Sequence, residues 1–268
     1  MSEHRERVRI DTRDGIADVR MIRSDKLNAV DLDMFLALVE AGEALMSDRS
    51  VRAAVLSGEG RGFCSGLDIP SLMGGGKRGG PSLFDRGGES PANMAQRCAW
   101  IWQEVPMPVI AAVHGVAYGA GFQIAMGADI RFVAPDAKLS LREAHWGLIP
   151  DVAVTQTLRH VVRHDVAKEL TFTGKVVSGE EADALGLVTH LSDDPHADAM
   201  ALAREIAGRS PSAVRAAKQL WNQALEGSIE EGLRLEEKLQ GTVMGKPNQI
   251  EAVQANLQKR TPSFSDPD

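Results

Sequence analysis

The chain has 268 residues, 43% of them hydrophobic, and a formal net charge of −7; that is ample for a packed core, and the interspersed charges leave no basic stripe of the kind that binds nucleic acid. No apolar stretch reaches the ~18 residues needed to span a bilayer, and the charged opening segment lacks the apolar core of a signal peptide, so a cytoplasmic protein with neither nucleic-acid nor membrane partners is expected. Cys64 and Cys98 are the only cysteines and have neither CxxC nor Cys/His spacing, which argues against a disulfide framework or a metal site.

In chain order, Val8–Thr12 and Ile16–Met21 read as a hairpin around Arg13-Asp14-Gly15. Asp31 is a candidate N-cap for the amphipathic helix Leu32–Ser47, and Val51–Leu56 is a short apolar strand. Gly74–Gly88 holds seven glycines with almost no periodicity and reads as a surface loop or a lid over a substrate. Helical spacing returns over Asn93–Glu104. A buried strand is expected at Val109–Val113, a short helix at Gly121–Gly127 and a strand at Ile130–Val133. Beyond Asp151 the pattern is helical throughout, over Val152–His164, Asp165–Thr171, Glu180–Leu185, Pro195–Ser210, Pro211–Glu226 and Ser228–Gly241. Strands alternating with helices, then helices alone, predict an α/β layer fold divided into a core over residues 1–195 and a helical region over 196–268.

Two segments carry the functional signal. Gly62-Phe63-Cys64-Ser65-Gly66-Leu67-Asp68-Ile69 and His114-Gly115-Val116-Ala117-Tyr118-Gly119-Ala120-Gly121-Phe122-Gln123 each follow an apolar strand, and glycine-rich turns of this kind leave peptide N–H groups free to point at a ligand. The second is not a dinucleotide fingerprint, because Ile124 stands where GxGxxG needs its last glycine. Taken with Lys26-Leu27-Asn28-Ala29, Gly127-Ala128-Asp129-Ile130, Gly147-Leu148-Ile149-Pro150 and Leu170-Thr171-Phe172-Thr173-Gly174 in this order, the pair resembles the signature loops of the crotonase superfamily, the enoyl-CoA hydratase/isomerase family. The resemblance runs from about Val8 to Phe264. It implies a crotonase-like spiral of ββα units with a C-terminal helical trimerisation region, a homotrimer or a dimer of trimers, and an acyl-CoA thioester substrate, with coenzyme A present only as part of that substrate.

Carried over by position, the resemblance makes the N–H groups of Leu67 and Ala120 the oxyanion hole for the thioester carbonyl, with Gly119 and Gly121 keeping bulk away. It puts Lys26, Ala29, Ser65, Gly66, Asp68, Ile69, Pro70 and Lys259 against CoA or substrate. Hydratases of the family use two glutamates twenty residues apart; here the positions hold Gln123 and Glu143. An amide cannot exchange a proton at neutral pH as a carboxyl does. A second acid, Asp151, follows Glu143 by eight residues, an interval similar to that of the acid pair in the family's dienoyl-CoA isomerases. Gly147 and Pro150 break any helix between them, so a loop can aim both at one pocket. The catalytic set expected is Glu143, Asp151 and Gln123, and the best specific reading is double-bond isomerisation of an enoyl- or dienoyl-CoA by a Glu143/Asp151 proton shuttle. Two alternatives stand beside it: a hydratase in which Gln123 orients water for Glu143, and a catalytically weak acyl-CoA-binding protein. Asp151 could instead be only a helix N-cap, Cys64 reads as a small buried filler, and Trp146 either lines the acyl pocket or fills the core, the core being preferred.

Overall fold

The computed structural model describes residues 7–73, 82–87 and 90–267. Strands β1 (Val8–Arg13) and β2 (Ile16–Met21) form the expected hairpin. Asp14 and Gly15 both adopt positive φ, 53° and 75°, the conformation a two-residue type I′ turn demands. β2 then pairs in parallel with β3 (Ala53–Gly58), and β3 with β4 (Val109–Val113). Every residue of β3 and β4 is buried, which is why they are continuous apolar runs rather than alternating ones. A second, three-stranded sheet is built from β5 (Val116–Tyr118), β7 (Lys138–Ser140) and β8 (Val177–Ser178). The main sheet is completed by β6 (Ile130–Val133) and β9 (His190–Leu191), in the order β1-β2-β3-β4-β6-β9.

Helices cover both faces of the main sheet. On one side lie α1 (Leu32–Ser47), α3 (Met94–Glu104) and the short, wholly buried α4 (Ala120–Met126); α2 (Ile69–Met73) follows the first glycine loop. Asp31 caps α1 by accepting the Met34 N–H at 2.9 Å, and Asn93 and Gln96 form a reciprocal capping box on α3. On the other side α8 (Pro195–Ala207) sets Ala199 and Ala203 against Ile16, Val55 and Ile110. The mixed α/β architecture with a helical C-terminal region is the one expected.

The strand signal does not end at Asp151. β8 and β9 are two residues each, and β5 and β7 three, too short to leave a periodic trace. The stretch 152–164 folds into one turn of helix, α5 (Val154–Thr157), whose N-cap is Ala153 at φ 62° with no side-chain bond; Asp151 is not its cap. The helices α6 (His164–Thr173), α7 (Gly179–Ala184), α9 (Pro211–Gln223) and α10 (Ile229–Val243) fall where periodicity placed them. α11 (Pro247–Gln258), with proline in its first turn, was not anticipated. Of the glycine-rich stretch 74–88 only residues 82–87 are described, so the choice between surface loop and lid lies outside the described residues. No described helix is long and apolar enough to cross a membrane.

One buried cation fastens the helical region to the core. Lys218 of α9, with 5% of its side chain exposed, pairs with Asp129 at 2.8 Å and donates to the carbonyls of Trp102 at 2.7 Å and Met107 at 3.0 Å. Lys218→Ala leaves two buried carbonyls and a carboxylate without their cation, and removing one member of such a pair typically costs about 3–5 kcal/mol. A thermal melt should show a drop of several degrees, whereas an unchanged midpoint would mean that the other contacts of α9, among them the hydrogen bonds of Arg215 and Asn222 to the carbonyls of Val51 and Gln103, hold it without the Lys218 ion pair.

Candidate active site

One single-residue bridge joins the two glycine loops, and a second ties the first of them to the segment before α1. Cys64 pairs with Ala117 and Leu67 with Val30, both in parallel sense. The Cys64 N–H donates to the Val116 carbonyl at 3.0 Å and its carbonyl accepts the Tyr118 N–H at 3.0 Å. Val30 donates to the Gly66 carbonyl at 2.8 Å and accepts the Asp68 N–H at 2.9 Å. In a parallel bridge the residue opposite turns its own N–H the other way, so the Leu67 N–H faces away from Val30. Ala120 is the first residue of α4, where no helical carbonyl lies four residues earlier to accept its N–H. Leu67 and Ala120 both line a cavity of about 250 Å³, together with Gly119, Glu143, Trp146 and Leu148.

Asn28 pins the first loop from beneath. It is fully buried, and its amide nitrogen donates to the carbonyls of Glu59, Gly62 and Phe63 at 3.0, 3.0 and 3.1 Å. The glycines have distinct duties. A Cβ on Gly119, at φ +52°, would sit 3.2 Å from Glu143 Oε1, so this position keeps the carboxylate's approach open. Gly121 does not face the cavity: a Cβ there would lie 2.4 Å from the Cys64 carbonyl oxygen, which makes it a packing residue. Cys64 itself is buried, its thiol donating to the Asn28 carbonyl at 3.1 Å and pushed up to about 12 by burial. It is the filler its position suggested and no nucleophile.

The Glu143 side chain is almost completely buried at the start of a 3-10 turn, Glu143–Trp146. Its Oε1 accepts a hydrogen bond from Gln123 Nε2 at 2.6 Å, while its Oε2 is buried without a partner. Burial is the chief cause raising the Glu143 pKa above its ordinary value, and the negative charge of Asp151 adds to it. Gln123 is fully buried and is not among the cavity-lining residues. Its carbonyl oxygen accepts the Val152 N–H at 2.8 Å. A peptide N–H can only donate, so this bond fixes the amide's orientation. Gln123 is therefore a clamp between Glu143 and the loop behind Asp151, and its amide is not presented to a water in the cavity.

Asp151 is exposed on that loop and does not line the cavity, yet it acts electrostatically on Glu143, and partial burial raises its own pKa. Among the other expected site residues, Ser65, Gly66 and Ile69 line the cavity. Lys26 is exposed beside it, its carbonyl accepting the Ser65 hydroxyl at 3.3 Å. The Ala29 carbonyl is taken by Arg23 at 2.9 Å. The Asp68 carboxylate is committed to Arg23 at 2.8 Å and to the Ser71 N–H at 3.2 Å, so its side chain shapes the loop. Pro70 is exposed in the first turn of α2. Lys259 ends α11, exposed and apart from the cavity lining of its own chain.

Three features escaped the sequence reading. Trp146 is 63% exposed at the cavity rim rather than in the core. Tyr118 and Arg142 also line the cavity, the guanidinium 5.1 Å from the centre of the phenol ring; the position of Arg142 next to Glu143 was the available signal. The clamp formed by Gln123 depends on a backbone N–H 29 residues away, which no local pattern encodes.

Gln123→Met would keep the bulk of the clamp and delete its donor. The Gln123 hydrogen bond favours ionised Glu143, so its loss raises the Glu143 pKa further. The acid limb of the kcat/KM profile should move to higher pH. A profile that stays in place would leave Gln123 with a packing role only.

The arrangement joins the Leu67 and Ala120 N–H groups, a partly satisfied carboxylate and a small cavity, and the chain that carries it is similar to known proteins over nearly its whole length. The family described as Enoyl-CoA hydratase/isomerase matches residues 11–267. A Bacillus subtilis (strain 168) protein described as a probable enoyl-CoA hydratase is 34% identical over 257 residues, covering 94% of this chain and 96% of the relative. The peroxisomal Delta(3,5)-Delta(2,4)-dienoyl-CoA isomerase of Arabidopsis thaliana is 31% identical, covering 96% and 95%. The crystal structure of enoyl-CoA hydratase from Bacillus anthracis superposes with a TM-score of 0.87 at 26% identity, covering 97% of this chain and 100% of that one. Fold, site and sequence together make this chain an enzyme of the enoyl-CoA hydratase/isomerase family, within the crotonase superfamily.

Proposed function

We propose that the protein isomerises a carbon–carbon double bond in an enoyl- or dienoyl-CoA. The observation that carries this reading is the bare Oε2 of Glu143, buried without a partner on a residue that shares the cavity wall with Leu67 and Ala120. Oε1 is held by Gln123, so Oε2 is the atom that takes the proton. Removing a proton from the carbon chain sends its electron pair through the conjugated system to the thioester oxygen. The N–H groups of Leu67 and Ala120 stabilise the enolate, a contribution of ~2.7–4 kcal/mol per donor in comparable sites. A proton then returns at the far end of the conjugated system, from the Asp151 carboxyl or from Glu143 itself, and the double bond has moved without net gain or loss of atoms. Burial raises both carboxyls above their ordinary pKa values, the direction that makes a carboxyl a better proton carrier in this exchange.

A second reading, hydration of an enoyl-CoA by Glu143 alone, is favoured by one observation: Glu143 is the only carboxylate among the described residues that line the cavity. Incubating the protein with a 3-enoyl-CoA, a 3,5-dienoyl-CoA and a 2-enoyl-CoA separates the two. Isomerised product from the first two supports the proposal; a 3-hydroxyacyl-CoA from the third as the sole product replaces it with the hydratase. Thermal stabilisation by acyl-CoA without turnover of any substrate would leave only a binding protein.

The same reading includes a homotrimer or a dimer of trimers. It is supported by the large apolar side chains that the C-terminal helices leave exposed, among them Trp221, Ile229 and Leu257 at 73%, 83% and 79%, a surface of the kind that marks subunit contacts. Sedimentation at micromolar concentration should give a mass of three or six chains, and a monomer would contradict it.

A further inference from the structure

We propose that Arg142 reads a negative charge at the end of the acyl group, so that the preferred substrate is a short acyl-CoA whose chain ends in a carboxylate. This rests on the acyl-CoA reading of the site.

Arg142 lines the same cavity as Glu143 and, among the described residues, is the one cation that does so. The guanidinium is half-buried and lies 5.1 Å from the centre of the Tyr118 ring, which also borders the cavity. An aromatic face holds a guanidinium in place while leaving its N–H edge free for a carboxylate. Among the described residues no acid pairs with it. Glu143 Oε1 accepts from Gln123 and its Oε2 has no partner, so neither oxygen is engaged by Arg142. A cation kept out of ion pairs in a small, partly apolar cavity is a recognition group without its ligand, since a planar guanidinium matches a carboxylate with two parallel hydrogen bonds.

Position decides which end of the substrate it meets. The cavity of about 250 Å³ is walled by Leu67, Ala120 and Glu143, the residues placed on the thioester and its neighbouring carbons, so it takes the thioester and the acyl group beside it. Coenzyme A carries its phosphates beyond the pantetheine arm, away from the reacting carbon, and exposed Lys26 lies outside this cavity lining to serve them. An anion within reach of Arg142 is therefore on the acyl side.

The test is a binding comparison of glutaryl-CoA with pentanoyl-CoA, two saturated thioesters of equal carbon count, by calorimetry at fixed ionic strength. The wild-type protein should bind glutaryl-CoA at least tenfold more tightly, and Arg142→Gln, checked for an unchanged melting profile, should erase that preference while Arg142→Lys keeps part of it. Equal affinities in the wild type overturn the proposal. So does an Arg142→Gln variant that weakens both ligands by the same factor, which would put a CoA phosphate on the guanidinium. Failure of the wild type to bind either ligand would overturn the acyl-CoA reading beneath it, a result distinct from loss of selectivity.

Discussion

Glu143→Gln will reduce turnover to the background rate while leaving acyl-CoA affinity within a few-fold of the wild type. The substitution retains size and the acceptor for Gln123 Nε2 but removes the only group among the described cavity-lining residues that can take up a proton, and the proposed oxyanion donors, the N–H groups of Leu67 and Ala120, are backbone atoms that the change does not touch. Stability should move in the opposite direction from activity. Burial raises the Glu143 pKa, so the native state holds that proton more tightly than the unfolded chain, and the ionised group destabilises the fold once pH has risen through its native pKa. The variant should therefore melt at least as high as the wild type at neutral pH, with the advantage shrinking as pH falls. Full activity in the variant would remove Glu143 from the mechanism.

Asp151→Asn should lower dienoyl-CoA isomerisation by 10²–10⁴-fold, the usual worth of a positioned general acid or base, while any hydration of a 2-enoyl-CoA changes little. A helix-cap explanation is not available, because α5 starts from Ala153 without a side-chain bond; the variant should keep its melting temperature. Since the Asp151 charge raises the Glu143 pKa, neutralising it lowers that value, and the acid limb of the residual activity should move to lower pH. A variant that isomerises dienoyl-CoA at the wild-type rate would leave Glu143 as the sole proton carrier.

How much of this was legible in the sequence follows from the range of the interactions involved. Helix α1 with its Asp31 cap and the span of α3 were readable because periodicity and capping are local. The glycine loops were readable as a pair through their resemblance to a family, and the bridge at Cys64–Ala117 shows the physical reason for the pairing. Glycine has no side chain to announce its function, so the sequence did not separate Gly119, which faces Glu143, from Gly121, which packs on Cys64. Gln123 stood out as a missing carboxylate; that its amide ties Glu143 to the Val152 N–H emerged only when residues distant in sequence met. Trp146 looked like core because tryptophan usually is, but it follows Glu143 on a surface turn that leaves it 63% exposed.

The central claim is that Glu143 Oε2 moves a proton on an acyl thioester whose enolate rests on the Leu67 and Ala120 N–H groups. Its most direct test follows a 3-enoyl-CoA in D₂O by proton NMR with wild-type protein and with Glu143→Gln. The account predicts loss of the α-proton signal and appearance of the conjugated 2-enoyl thioester carrying deuterium at the far carbon with the wild type, and neither change with the variant. Exchange at equal rates in both proteins, or none in a wild-type protein that demonstrably binds the thioester, would contradict it.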